Sequence, residues 1–283
     1  MSAPQDMNPK KSAPEESIAR REAQRQWEAN PCAADSVTGR ARESLEWFRE
    51  ARKVRYHDYA PWLISTTGID SIRGKRVLEI GVGLGSDHYT LARGGNEMTA
   101  LDLSREHLRL TSLHLELEGL KTEAVHGDME NMPFPDGTFD VVYSFGVLHH
   151  TDNMDRAVAE IHRVLKAGGI AILSVYHRES IYFWIGLMLI NGVLRGWLFR
   201  FGWKRTLARI EAGAGDDFVP QVHLLTRNSL RGLFCSFQIL NLACYHIGIP
   251  SRVQRRLRTS TRLQLERLLR PFGWYLTITA QKR

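Results

Sequence analysis

Cysteine is scarce in this chain, and its few copies do not pair by spacing. Cys32, Cys235 and Cys244 are odd in number and form no C-x-x-C. A disulfide framework and a structural zinc site are therefore disfavoured, and a reducing, cytoplasmic setting is expected. The 11 histidines do not stand with acids or cysteines at metal-ligand spacing. No metal is expected. An apolar signal core is missing as well: residues 1–17, MSAPQDMNPKKSAPEES, are rich in Pro, Ser and charge, and read as a disordered tail. No internal repeat recurs. Acidic residues are sparse in one region only, since residues 178–283 hold 5 Asp and Glu against 17 Lys and Arg. That part carries +12 while the whole chain carries +7, so the first 177 residues are net −5. The imbalance points to an anionic partner or surface for the C-terminal part, with nucleic acid placed below a membrane.

What is present supports one elaborated α/β domain. At 283 residues with 43% hydrophobic content the chain can bury a single good-sized core. From residue 76 onward, strand-like runs alternate with helical patterns. VLEIGVGLGSD (77–87) begins as a short buried strand, turns through three glycines and opens a helix at Ser86. MTALDLS (98–104), TEAVHGDM (122–129), FDVVYSFGVLHH (139–150) and GGIAILSVYH (168–177) are four further strands, with helices over 105–118 and 153–165. This rhythm implies right-handed crossovers and a doubly wound, Rossmann-like parallel sheet.

In such a sheet the ligand lies beyond the carboxyl ends of the strands, where the strand order reverses. The glycine loop, Asp102, Asp128 and Phe145–His150 all fall at such ends. Glycines 81, 83 and 85 let the backbone turn sharply and pass close to a ligand. The dinucleotide fingerprint would require a third glycine at 86, where this chain has Ser. Asp102 lies 21 residues after Gly81, which suits a carboxylate on ribose hydroxyls or a helix-start acid. Asp128 suits an acceptor for an adenine amino group, with Met129 offering an apolar surface to the ring, or an ordinary turn aspartate.

VLEIGVGLGSD, LDLS, HGDMENMPFPDGTFDVVYSFGVLHHTDN and AEIHRVLKAGGIAILSVYH together resemble the class I S-adenosylmethionine-dependent methyltransferases, in the subgroup that includes quinone-ring methyltransferases. The resemblance spans Arg76 to His177 and resumes in HLLTRNSLRGLF and GWYLTITAQKR, which look like the last helix and the antiparallel last strand of a seven-stranded sheet. It implies S-adenosyl-L-methionine as cofactor. Glu79 and glycines 81, 83 and 85 would approach its methionine part and ribose. Asp102 would take the ribose hydroxyls, Leu103 would lie against the adenine, and Asp128 with Met129 would flank it. The backbone near Phe145 would lie under the sulfonium. Arg55 or Tyr56 would cover the methionine carboxylate, or pack. A dehydrogenase is opposed by Ser86 and the Asp128 motif, while a scaffold that binds the cofactor without turnover, or a methyltransferase acting on nitrogen of a soluble metabolite, stays open as an alternative.

His149 and His150 follow the fourth strand, where an acceptor must approach, and are candidate bases or loop packing. Residues 18–70 read as a helical cap, 71–178 as the cofactor-binding core, 179–222 as an insertion, and 223–283 as the completion of the sheet. Within the insertion, IYFWIGLMLINGVLRGWLFRFGW (181–203) mixes aromatics with aliphatics and is followed by basic residues. It reads as a lid, an interfacial helix or a buried cap helix. A second basic stretch, 251–270, carries seven arginines among apolar residues and is read as helical. The expectation is transfer of a methyl group to oxygen or carbon of a small, hydrophobic or lipid-like acceptor, with peripheral docking on an anionic membrane. Oligomeric state is not legible.

Overall fold

A computed structural model describes residues 18–32, 34–210, 221–247, 264 and 268–283. The tail 1–17, most of the basic stretch 251–270 and the end of the insertion, 211–220, lie outside the described residues.

The chain enters through α1 (Ile18–Ala29) and α2 (Leu45–Lys53). The hydroxyl of Ser44 accepts from the Trp47 N–H and so satisfies one of the donors that open α2. A π-helical turn, Val54–Tyr59, and α3 (Leu63–Thr67) complete the helical cap. The alternating pattern then folds as β1 (Arg76–Ile80), α4 (Ser86–Ala92), β2 (Glu97–Asp102), α5 (Arg105–Leu117), β3 (Glu123–His126), β4 (Phe139–Phe145), α6 (Met154–Val164) and β5 (Leu165–Tyr176). A π-helix, Tyr182–Leu194, and α7 (Trp197–Ala208) form the insertion. The chain closes with α8 (Arg227–Leu233), β6 (Phe237–Tyr245) and β7 (Tyr275–Lys282).

The seven strands form one sheet in the order β3-β2-β1-β4-β5-β7-β6. β1 pairs in parallel with both β2 and β4, so the order reverses between β1 and β4 and opens a crevice at their carboxyl ends. β7 runs antiparallel to both β5 and β6. Alternate residues of each strand feed two cores. Leu78, Ile80, Val142 and Leu173 pack with Val158 and Ile161 of α6, while Val77, Val141, Tyr143 and Ile172 pack with Leu91 of α4 and Leu115 of α5. Each such aliphatic side chain contributes about 1.5–3 kcal/mol when fully buried.

Several element limits differ from the sequence pattern, each for a local reason. β2 stops at Asp102 because the hydroxyl of Ser104 caps α5, accepting from the His107 N–H. β4 stops at Phe145, where Gly146 turns with φ +79°, and His149 and His150 lie in a 3₁₀ turn rather than on the strand. β6 has no clear alternation to announce it: its nine residues face mixed surroundings, and few of them are buried. The run 181–203 is not one helix. It breaks at Gly196, which is left-handed at φ +74°, and α7 is kinked again at Gly202.

Candidate active site

The crevice between β1 and β4 contains a cavity of about 420 Å³. Glu79, Gly81 and Gly83 from the β1 loop, Asp102 and Leu103 from the end of β2, Asp128 and Met129, Phe145, Arg55 and His150 all line it. Gly85, Tyr56 and His149 are not among its lining residues.

The three loop glycines serve different ends. A Cβ on Gly81 would stand 2.1 Å from the Val147 side chain, and one on Gly85 would press on Thr111 at 3.0 Å. Both are set by internal packing. Gly83 has φ +52° and only the Cβ of Cys32, at 3.8 Å, within reach of an added Cβ, so it presents bare backbone to the cavity.

Asp102 is held in place by three donors. Its Oδ2 accepts from the Val82 N–H at 2.9 Å and from His107 Nδ1 at 3.2 Å, and its Oδ1 accepts from the Ser104 N–H at 2.8 Å. A carboxylate offers about four acceptor positions, so one remains for a ligand hydroxyl. The Cys32 N–H donates to the Nε2 of His107, which fixes the ring with its proton toward Asp102. Both residues also line the cavity, and neither was legible as part of the site, because no local motif marks them.

A second buried network stands behind the loop. Arg55 donates through Nε and Nη2 to the two oxygens of Asp87, and the hydroxyls of Tyr56 and Tyr143 donate to the same carboxylate at 2.9 and 2.7 Å. Burial opposes a charge on Asp87, but the Arg55 guanidinium outweighs it and holds the carboxyl below its usual range. Tyr56 therefore acts as a brace for Asp87 and not as a cavity wall. Arg55 does line the cavity, with its guanidinium 4.0 Å from the centre of the Phe145 ring. Glu79 is pushed well up by burial and by the charge of Asp87, and its partner His88, 2.9 Å away, is pulled down to about 3 by burial and the nearby His114. Burial thus disfavours a charge on either partner.

α1 roofs the cavity. Arg20, Ala23 and Trp27 line it from above, and Arg20 reaches Asp128 at 2.8 Å, Glu130 at 3.3 Å and Asp152 at 3.7 Å. On the far side, Nδ1 of His150 lies 2.7 Å from the Gln221 carbonyl and donates to it, so Nε2 is the basic atom of that ring. Trp27 meets His150 edge-on at 5.2 Å. His149 is fully buried against Tyr176, neither ring nitrogen has a partner among the described residues, and burial drives it well below the usual histidine range.

A second, aromatic chamber of about 220 Å³ adjoins the first. Tyr59, Tyr176, Ile210 and Tyr275 border both spaces, and Tyr182, Trp274 and His246 complete the chamber. The donor set of the larger cavity fits S-adenosylmethionine: Gly83 is a cradle that a Cβ would fill, and Asp102 keeps an open acceptor position. Among the described residues no cluster of His, Cys, Asp or Glu could hold a metal.

Comparison with known proteins agrees with this geometry. A family model described as a methyltransferase domain matches residues 78–173. A malonyl-[acyl-carrier protein] O-methyltransferase of Erwinia billingiae is 33% identical over 112 residues, 39% of this chain and 42% of that protein. A phthiotriol/phenolphthiotriol dimycocerosates methyltransferase of Mycobacterium ulcerans is 40% identical over 100 residues, 35% of this chain and 36% of that protein. The chain thus spans less than half the length of these curated relatives. Among solved structures, a Thermotoga maritima S-adenosylmethionine-dependent methyltransferase superposes with a TM-score of 0.54 at 18% identity, covering 84% of this chain and 98% of that one, which shows the shared fold. Residues 78–173 thus match a methyltransferase domain, and the sheet order and glycine loop fit the fold of a solved S-adenosylmethionine-dependent methyltransferase.

Proposed function

We propose that this protein transfers the methyl group of S-adenosylmethionine to oxygen or carbon of a hydrophobic, lipid-like acceptor. The observation that carries this reading is the aromatic chamber beside the cofactor cavity, walled by Tyr59, Tyr176, Trp274 and Tyr275. Aromatic rings that carry hydroxyls suit an acceptor with an apolar body and a polar group to be oriented. The relatives support the same class, one being named for a malonyl-[acyl-carrier protein] and another for phthiotriol dimycocerosates.

When bound, the cofactor supplies a methyl group already activated on a cationic sulfonium. The chain's own residues then have three tasks. Asp102, Gly83 and the Arg20 latch fix the nucleoside. Phe145 and its neighbours align the two reactants, and such alignment supplies most of the rate in a displacement of this kind. Nε2 of His150 takes the acceptor's proton where the nucleophile carries one.

The test is incubation of the purified protein and labelled cofactor with lipid and water-soluble fractions of a cell extract. Label should enter the organic phase in a single lipid-like product. Transfer only to water-soluble metabolites, or cofactor binding with no product in either phase, would refute the reading.

A further inference from the structure

The insertion exposes an unusual amount of apolar surface. Trp184, Ile185, Leu189, Ile190, Val193 and Leu194 on the π-helix, and Phe199 and Trp203 on α7, are all 40% or more exposed, with Leu194 at 72% and Phe199 at 82%. This is a patch and not a scatter of single residues.

The winding of the helix explains how the patch arises. A π-helix bonds residue i to i+5, as the Arg195 N–H does to the Ile190 carbonyl at 2.9 Å. Rows five apart therefore share a face. Positions 184, 189 and 194 form one exposed row and 185 and 190 a second beside it, whereas 182, 187 and 192 form an inward row in which Leu187 and Gly192 are buried. The inward face meets the chamber at Tyr182, which lines it, while Phe183 and Leu187 pack with Tyr176, Trp274 and Tyr275 behind its wall. One element thus walls the chamber on one face and is apolar and exposed on the other.

The charge around the patch has one sign. Arg195, Arg200, Lys204 and Arg205 are exposed beside it, and no Asp or Glu occurs from residue 180 to 210. Exposed tryptophans and aliphatics edged by cations match the boundary between lipid headgroups and acyl chains. Among the described residues no helix is long and apolar enough to cross a membrane, and the turn at Gly196 suits two short helices lying side by side in the surface.

We infer that the face formed by the π-helix and α7 docks on an anionic lipid bilayer, setting the acceptor chamber against the membrane so that a bilayer-resident acceptor enters without crossing water. The route of entry rests on the function proposed above; the docking does not.

The experiment is flotation with phosphatidylcholine vesicles containing or lacking phosphatidylglycerol. The full chain should float with the anionic vesicles, less so as salt is raised, since the cations act through a screened field. Leu194→Asp/Phe199→Asp should lower the bound fraction by about tenfold while leaving cofactor affinity and melting temperature unchanged, because both side chains are at the surface away from the cavities. Failure of the wild-type protein to float at low salt would overturn the inference. So would binding that the double variant retains, or a wild-type dimer in solution that the double variant converts to monomer, which would assign the face to a second copy. Docking together with no transfer of label to the lipid fraction of the cell extract would uphold the surface and refute the acceptor reading alone.

Discussion

Arg20 of α1 holds the carboxylate of Asp128 at 2.8 Å, across the part of the cavity where the sequence places the adenine. One guanidinium also faces Glu130 and Asp152, so this single side chain ties the roof to three acids. Glu130 is nearly buried, and it spends Oε1 on the N–H groups of Asp152 and Asn153. Removing the cation leaves that cluster of acids uncompensated. Arg20→Ala should therefore loosen α1, weaken cofactor affinity by roughly tenfold and expose 18–29 to limited proteolysis. Titration calorimetry and a protease time course check both, and unchanged affinity with an unchanged cleavage pattern would show that the latch does not hold the roof.

Asp102 leads to a second expectation. The sequence suggested hydrogen bonds to both ribose hydroxyls, yet three protein donors already occupy the carboxylate, which leaves one position. One charge-assisted hydrogen bond is worth about 1.5–3 kcal/mol. Asp102→Ala should cost about that much in cofactor binding and should also release His107, so the loss should exceed that of His107→Ala. Calorimetry on both folded variants decides, and equal losses would assign the effect to loop support alone.

Much of this site was readable before the fold because its signals are local. The turn at 81–85, the acid that ends β2 and the acid after β3 sit at fixed positions relative to their strands, and a run of buried aliphatics announces β1, β2, β4 and β5. Contacts made by the folded-over cap left no such trace. Arg20 and Cys32 reach the cavity only because α1 and the segment after it fold over β2 and α5, and neither residue type at those positions signals it. The insertion was opaque for another reason. Reading 181–203 with a period of 3.6 finds no clean face, because the chain is wound with i+5 bonds and its apolar rows are five residues apart. Of the two roles open to Tyr56, its hydroxyl takes the packing one, being near the loop in space but turned to Asp87.

His150 and His149 are neighbours in sequence with different surroundings. His150 lines the cavity with its Nδ1 proton held by the Gln221 carbonyl, while His149 is buried with no access to either space. If the acceptor loses a proton, His150→Ala should lower turnover by on the order of a hundredfold with cofactor affinity unchanged. His149→Leu should leave turnover within a few-fold of wild type. Steady-state rates with the identified acceptor test the pair, and equal losses in both variants would return His150 to a packing role.

The same burial predicts how stability depends on pH. His114 donates from Nδ1 to the Leu84 carbonyl and accepts at Nε2 from Arg52, a pattern open only to the neutral ring, and burial pulls it down to about 4. His149 is likewise held neutral by burial. In the unfolded chain both recover a value near 6.5. The unfolded state therefore binds protons that the folded state refuses, so this stabilisation is complete above about pH 6.5 and declines as pH falls below it, by up to about 1.4 kcal/mol per unit for each residue. Between pH 7.5 and 5.5 the two together should remove about 3 kcal/mol. Urea unfolding at the two pH values measures the change, and comparison with variants isolates it from other titrating groups such as Glu79. His114→Gln and His149→Leu should each flatten the loss by about 1.4 kcal/mol. A variant whose loss on acidification matches that of the wild type would show that its histidine is protonated in the fold.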